Sequence, residues 1–106
     1  MSAPCRNLAD AVAWLQRADE RELSMKTLLL REPWSAVADV RILLQREDGG
    51  VPAEALEAGH SYFLEAAVAR EALDTLRHRK PGATLEDACR LLVHYARNDA
   101  YPAWSF

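Results

Sequence analysis

The sequence predicts an all-α domain, a compact bundle of four or five helices packed around a long central helix over about 61–79. Three observations predict it. Ala and Leu together number 34 of the 106 residues, while Val, Ile and Thr together number 10, a balance that favours helix over strand on intrinsic propensity. Apolar side chains recur at three- and four-residue steps along the chain, the period of a helix with one buried face. Two pairs, Asp19 with Glu22 and Thr84 with Asp87, have the spacing of a capping box, in which each partner satisfies the other's backbone amide.

The elements follow in order. Over 7–18, Leu8, Ala11, Val12, Leu15 and Ala18 form one face, with Trp14 on its flank and Asp10 and Arg17 pointing away. From Asp19 a second helix is expected to run to about Arg31, before Pro33. Leu28, Leu29 and Leu30 are consecutive and cannot share a helix face, so a buried strand competes over that stretch. Ser35 is the expected N-cap of a third helix, with Val37, Val40, Leu43 and Leu44 facing inward until the glycines of "EDGG" at 47–50. Pro52 suits the first turn of a short helix over 52–58. In the central helix Tyr62, Ala66, Ala69, Leu73 and Leu76 step by four, three, four and three, widened by Leu64, Val68 and Ala72. The last helix, 85–97, sets Leu85, Ala88, Cys89, Leu91, Leu92, Tyr95 and Ala96 against a polar arc that holds Arg90, His94 and Arg97.

A chain of 106 residues is the size of a single helical domain, 1–106, that closes on an aromatic tail, 99–106. Two cysteines, Cys5 and Cys89, are too few for a disulfide scaffold. No stretch approaches the roughly 18 apolar residues of a membrane span, and no basic segment with a long apolar successor opens the sequence. A cytoplasmic protein without membrane partners is expected. The net charge of −3, with both signs interspersed, argues against a phosphate-binding surface. Eleven of the thirteen basic residues are Arg and 19 residues are Ala, a bias that fits a GC-rich bacterial genome.

Tests for chemistry exclude more than they offer. Two Cys and three His, none in a CxxC or HxxxH spacing, do not supply a zinc site. Glu57 and His60 make one ExxH, whereas di-metal bundles use two with further glutamates. Cys89 and His94 lie about 140° apart around one helix and cannot form a dyad by themselves. Neither GxxxxGK nor GxGxxG is present. No cofactor is therefore expected. Helix-turn-helix-like junctions occur at 31–35 and 79–84, but the helix after the second opens on Glu86 and Asp87, carboxylates where phosphates would lie.

"SYFLEA" at 61–66 resembles the inhibitory helix motif of the antitoxins and autoinhibitory segments that block Fic-domain AMP transferases. Ser61 and Glu65 match, while Ala66 stands where that motif has Gly or Asn. The resemblance implies a helix from which Glu65 would enter a nucleotide site.

The reading that remains is a small non-enzymatic bacterial interaction module: an adaptor, an inhibitor or antitoxin, an immunity protein, or a phage- or plasmid-encoded regulator. Its expected partner is another protein, with homodimerisation through helix faces as a further possibility. The candidate partner-binding residues are Arg90, His94 and Arg97 on the last helix and Tyr101, Trp104 and Phe106 in the tail, residue types that dominate interface energies. Tyr101 and Trp104 are also suited to fold back over a core end lined by Trp14 or Trp34, and the two readings are compatible. Two alternatives remain open, a DNA-binding regulator with a helix-turn-helix-like core and a small helical enzyme using Glu57, His60 and Glu65.

Overall fold

Leu28, Leu29 and Leu30 are extended, and they occupy the middle of a sheet. The structure is a computed structural model and describes residues 5–44 and 50–103. Its elements are α1 (Leu8–Arg17), α2 (Glu20–Leu23), β1 (Lys26–Arg31), β2 (Val40–Leu44), α3 (Ala53–Glu57), β3 (His60–Glu65), α4 (Ala66–Arg79) and α5 (Leu85–Asn98). The fold is α+β, with a three-stranded antiparallel sheet in the order β2-β1-β3. This corrects the expected all-α bundle.

Each departure has a local cause. The capping box at Asp19 and Glu22 forms, with both reciprocal hydrogen bonds, yet its helix ends at Leu23. Met25 then takes a left-handed backbone conformation, φ 60°, which breaks the helical run and starts β1. Ser35 opens a single turn closed by Ala38 N–H donating to Ser35 O at 3.1 Å, and no helix continues from it. Val40 and Ile42 alternate with exposed Arg41 instead, in register with Leu30 and Leu28. Val37 and Leu44, expected inside, are 80% and 70% exposed.

The central helix is shorter than 61–79 because its first five residues belong to β3. Tyr62 continues the four-three rhythm of α4 only by coincidence of spacing, and it lies half-exposed opposite Leu29. Gly59, at φ 88°, supplies the turn into β3. Register slips between Leu28 and Leu29, so that Leu28 faces Leu64 and Leu29 faces Tyr62, with Phe63 as the extra residue of a β-bulge. The bulge lets two consecutive side chains, Phe63 and Leu64, both enter the core. Ser61 and Glu65 therefore stand four positions apart on a strand, about 13 Å of chain, and not on one helical turn. The Fic-inhibitor resemblance loses the helix it implies.

Helices α1, α4 and α5 pack on one another, and α4 contacts both β1 and β3. Leu8, Val12, Leu15, Leu28, Leu30, Phe63, Leu91 and Leu92 are buried between these layers. Leu28, Leu30 and Leu64, expected on helices, are buried by the sheet within one chain. Arg70 of α4 ties the layer together: its Nη1 donates to Leu15 O at 2.9 Å and Ala18 O at 2.6 Å, carbonyls that the end of α1 leaves without helical partners. Among the described residues, no helix is long and apolar enough to cross a membrane.

Candidate functional site

The first helix fixes the loop that forms one wall of the site. At the start of α1, Leu8 N–H donates to Ala38 O at 3.1 Å and Ala9 N–H to Ala36 O at 3.0 Å. These are amides that a helix N-terminus cannot satisfy internally. The β1–β2 connection is thus held against α1, and it carries Trp34. The indole Nε1–H donates to Leu30 O at 3.3 Å, and the ring meets the bulged Phe63 edge-on, with centroids 4.9 Å apart and planes at 89°.

Helix α5 forms the opposite wall. Thr84 and Asp87 cap it reciprocally, and Ala88, Cys89, Leu91 and Leu92 bury its inner face. Positions 90, 94 and 97 fall on one outer stripe, four and three residues apart. Between the two walls lies a groove of about 590 Å³. Trp34, Ala36 and Val37 line it from the loop, and Arg90, Val93 and Arg97 line it from the helix, with His94 between them.

Arg97 closes one end. Its guanidinium lies over the Trp34 ring, 4.6 Å from the centroid, and Nη2 donates to Glu32 Oε2 at 3.4 Å. Arg90 pairs more loosely with Asp87, 4.0 Å away. Arg97, Glu32 and Arg90 are exposed and Asp87 is partly so, and ion pairs at the surface contribute about 0–1 kcal/mol each. Cys89 touches the groove from beneath, but burial, reinforced by the Glu86 carboxylate, pushes its thiol up to about 11. A thiol so held is not an activated nucleophile.

The structure brings together three of the six expected partner-binding residues: Arg90, His94 and Arg97. It places Tyr101 elsewhere, folded back on Tyr95 with ring centroids 5.2 Å apart and with the Arg79 guanidinium 5.5 Å above its ring. Trp104 and Phe106 lie outside the described residues. Trp34, by contrast, is central to the groove, although the sequence offers no local signal that pairs it with a helix some sixty residues later.

The alternative enzyme set does not converge. His60 opens β3 and Glu65 closes it, about 16 Å of strand away, while Glu57 ends α3 on the exposed surface. His60 is buried, 2% exposed, and pairs instead with Asp39, Nε2 to Oδ2, at 2.6 Å. Of the two helix-turn-helix-like junctions, the first connects β1 to β2 and contains no helix pair. No group of three or more potential metal ligands occurs among the described residues. Comparison with known proteins gives no match: no family model, no curated protein and no solved structure is similar to this chain.

Proposed function

We propose that this protein is a small non-enzymatic interaction module that docks a segment of another protein in the groove between α5 and the 34–37 turn. The observation that carries the reading is the pairing of Arg97 with Trp34 at the mouth of an apolar-walled groove. Trp and Arg concentrate binding energy at interfaces because each offers a large, semi-rigid surface with hydrogen-bonding edges. Val37 supports the same reading, since a β-branched apolar side chain 80% exposed on the rim gains by being covered. Nucleic acid is disfavoured by Glu86 and Asp87 in the first turn of α5.

The test is a photoreactive residue at Val37 in the native host, with the crosslinked protein identified and then titrated in purified form. Val37→Asp changes a solvent-exposed position and leaves the core intact. It is expected to weaken binding at least tenfold, about 1.4 kcal/mol, as is Trp34→Ala. Equal affinity of all three forms, or equal crosslinking from exposed Leu56 on α3, would overturn the reading.

A further inference from the structure

We infer that the open end of β2 is a self-association edge, at which Ile42–Leu44 pairs antiparallel with the same three residues of a second copy and joins two three-stranded sheets into one of six. This edge lies at the end of β2 away from the 34–37 turn, so the inference goes beyond the docking function and does not depend on it.

The chain itself covers half of this edge. Arg31 N–H donates to Asp39 O at 3.0 Å, so the main-chain groups of 39, 41 and 43 face β1 and those of 40, 42 and 44 face outwards. On the outer side Val40 N–H donates to Arg6 O at 3.4 Å and Leu8 N–H to Ala38 O at 3.1 Å, with Asn7 bridged to Asp39. The cover stops at Arg6. Its own N–H turns to Asp10 Oδ2 at 2.9 Å, and Cys5 packs against the core. Among the described residues, nothing pairs with the outward N–H and C=O groups of Ile42 and Leu44.

Native sheets guard such edges with charge, proline or a bulge, because unpaired main-chain groups recruit another strand. The open stretch has none of these: Ile42, Leu43 and Leu44 are all apolar, their pairing with β1 is regular, and Leu44 is 70% exposed.

Register selects a second copy as the occupant. Ile42 and Leu44 are related by a two-fold axis through Leu43, so each Ile42 meets the partner's Leu44 as a hydrogen-bonded pair and four outward N–H···O=C bonds form. The same pairing covers each exposed Leu44 with the partner's Ile42, and it closes without propagating. Sliding the second strand towards Val40 would bring it against Arg6, which already occupies that place. Sliding it the other way would leave Ile42 unpaired, because the strand ends at Leu44. Three paired residues bury less than the roughly 1,000 Å² of a stable interface, so the association is weak, with a Kd on the order of 0.1 mM.

The test is sedimentation equilibrium of the full chain from about 10 µM to 1 mM, a range that spans this Kd. Monomer is expected at the low end and dimer at the high end. Leu44→Lys, a change at an exposed position, should weaken the dimer at least tenfold while thermal unfolding shows the fold retained. Oxidative crosslinking in a Cys5→Ser background tests the register. Leu43→Cys meets its own copy as a non-hydrogen-bonded pair with Cα atoms about 4.5 Å apart, within disulfide range, whereas Arg41→Cys is displaced from its copy by four residues, about 14 Å. The first should crosslink and the second should not. Monomer throughout the range, equal crosslinking from 41 and 43, or an undiminished dimer in folded Leu44→Lys would overturn the inference. So would a dimer that forms only after residues 1–4 are removed, since the chain's own N-terminus would then be the occupant of the edge.

Discussion

His60 Nε2 lies 2.6 Å from Asp39 Oδ2, joining the start of β3 to the residue before β2 across the end of the central strand. The histidine is buried and the carboxylate is 53% exposed. Its other ring nitrogen, Nδ1, has no hydrogen-bond partner among the described residues, so Asp39 is the hydrogen-bonding partner of this imidazole among them.

Removing that contact should cost more than the exposure of Asp39 suggests. A carboxylate on the surface is normally deleted for less than about 0.5 kcal/mol, whereas leaving a buried ring nitrogen unsatisfied costs about 1–3 kcal/mol. Asp39→Ala is expected to fall in the higher range in urea unfolding at neutral pH. A loss below about 0.5 kcal/mol would mean that the pair is incidental.

Arg70 offers a second case of a polar side chain with a structural task. Its Nη1 bridges two carbonyls at the end of α1, and its Nε faces Asp74 on the next turn of α4. Arg70→Met keeps the aliphatic stem and removes the donors, so it should destabilise by about 1–3 kcal/mol. Asp74→Ala, which leaves both carbonyl contacts in place, should cost about 0.5 kcal/mol or less.

Met25 is the reverse case, a position where the native residue is the poorer choice. A left-handed conformation costs an L-residue about 1–2 kcal/mol, and the side chain is 62% exposed and has little packing to lose. Met25→Gly gives back part of that gain as unfolded-chain entropy and should still stabilise by up to about 1 kcal/mol. The corresponding rise in melting temperature is about 4–8 °C per kcal/mol for a domain near this size.

Cys89 makes stability depend on alkaline pH. Its thiol is pushed from 9.0 to about 11 in the folded state, chiefly by burial. Above pH 9 the unfolded chain loses this proton while the folded chain keeps it, so the stabilisation is complete below pH 9 and is lost between about 9 and 11. The full effect is on the order of 2–3 kcal/mol. Cys89→Ala should show a shallower decline across that window. In the native protein, exposed-thiol reagents at pH 8 should modify half-buried Cys5 well before Cys89.

The sequence made the helices of this fold plain and hid most of its sheet. Helix α1, helix α5 and both capping boxes depend on side chains within four residues of one another, and each formed as the spacing predicts. The three consecutive leucines did mark a conflict, which β1 resolves. Strands β2 and β3 left no such mark, because a strand is stabilised by residues far along the chain. Val40, Arg41 and Ile42 alternate too briefly to outweigh helix-forming neighbours, and Tyr62 happens to prolong the period of α4. The groove divides in the same way: Arg90, His94 and Arg97 are legible as one stripe of a helix, while Trp34 joins them only through tertiary packing.

The central position of β1 has a consequence for synthesis. This strand leaves the ribosome before either of its neighbours, and β3 follows only after some thirty further residues. Until then the run from Thr27 to Leu30 presents an apolar, hydrogen-bonding edge of the kind that seeds aggregation. A chain stopped just before Gly59 should accumulate as inclusion bodies, and co-expression of the missing portion should return it to solution.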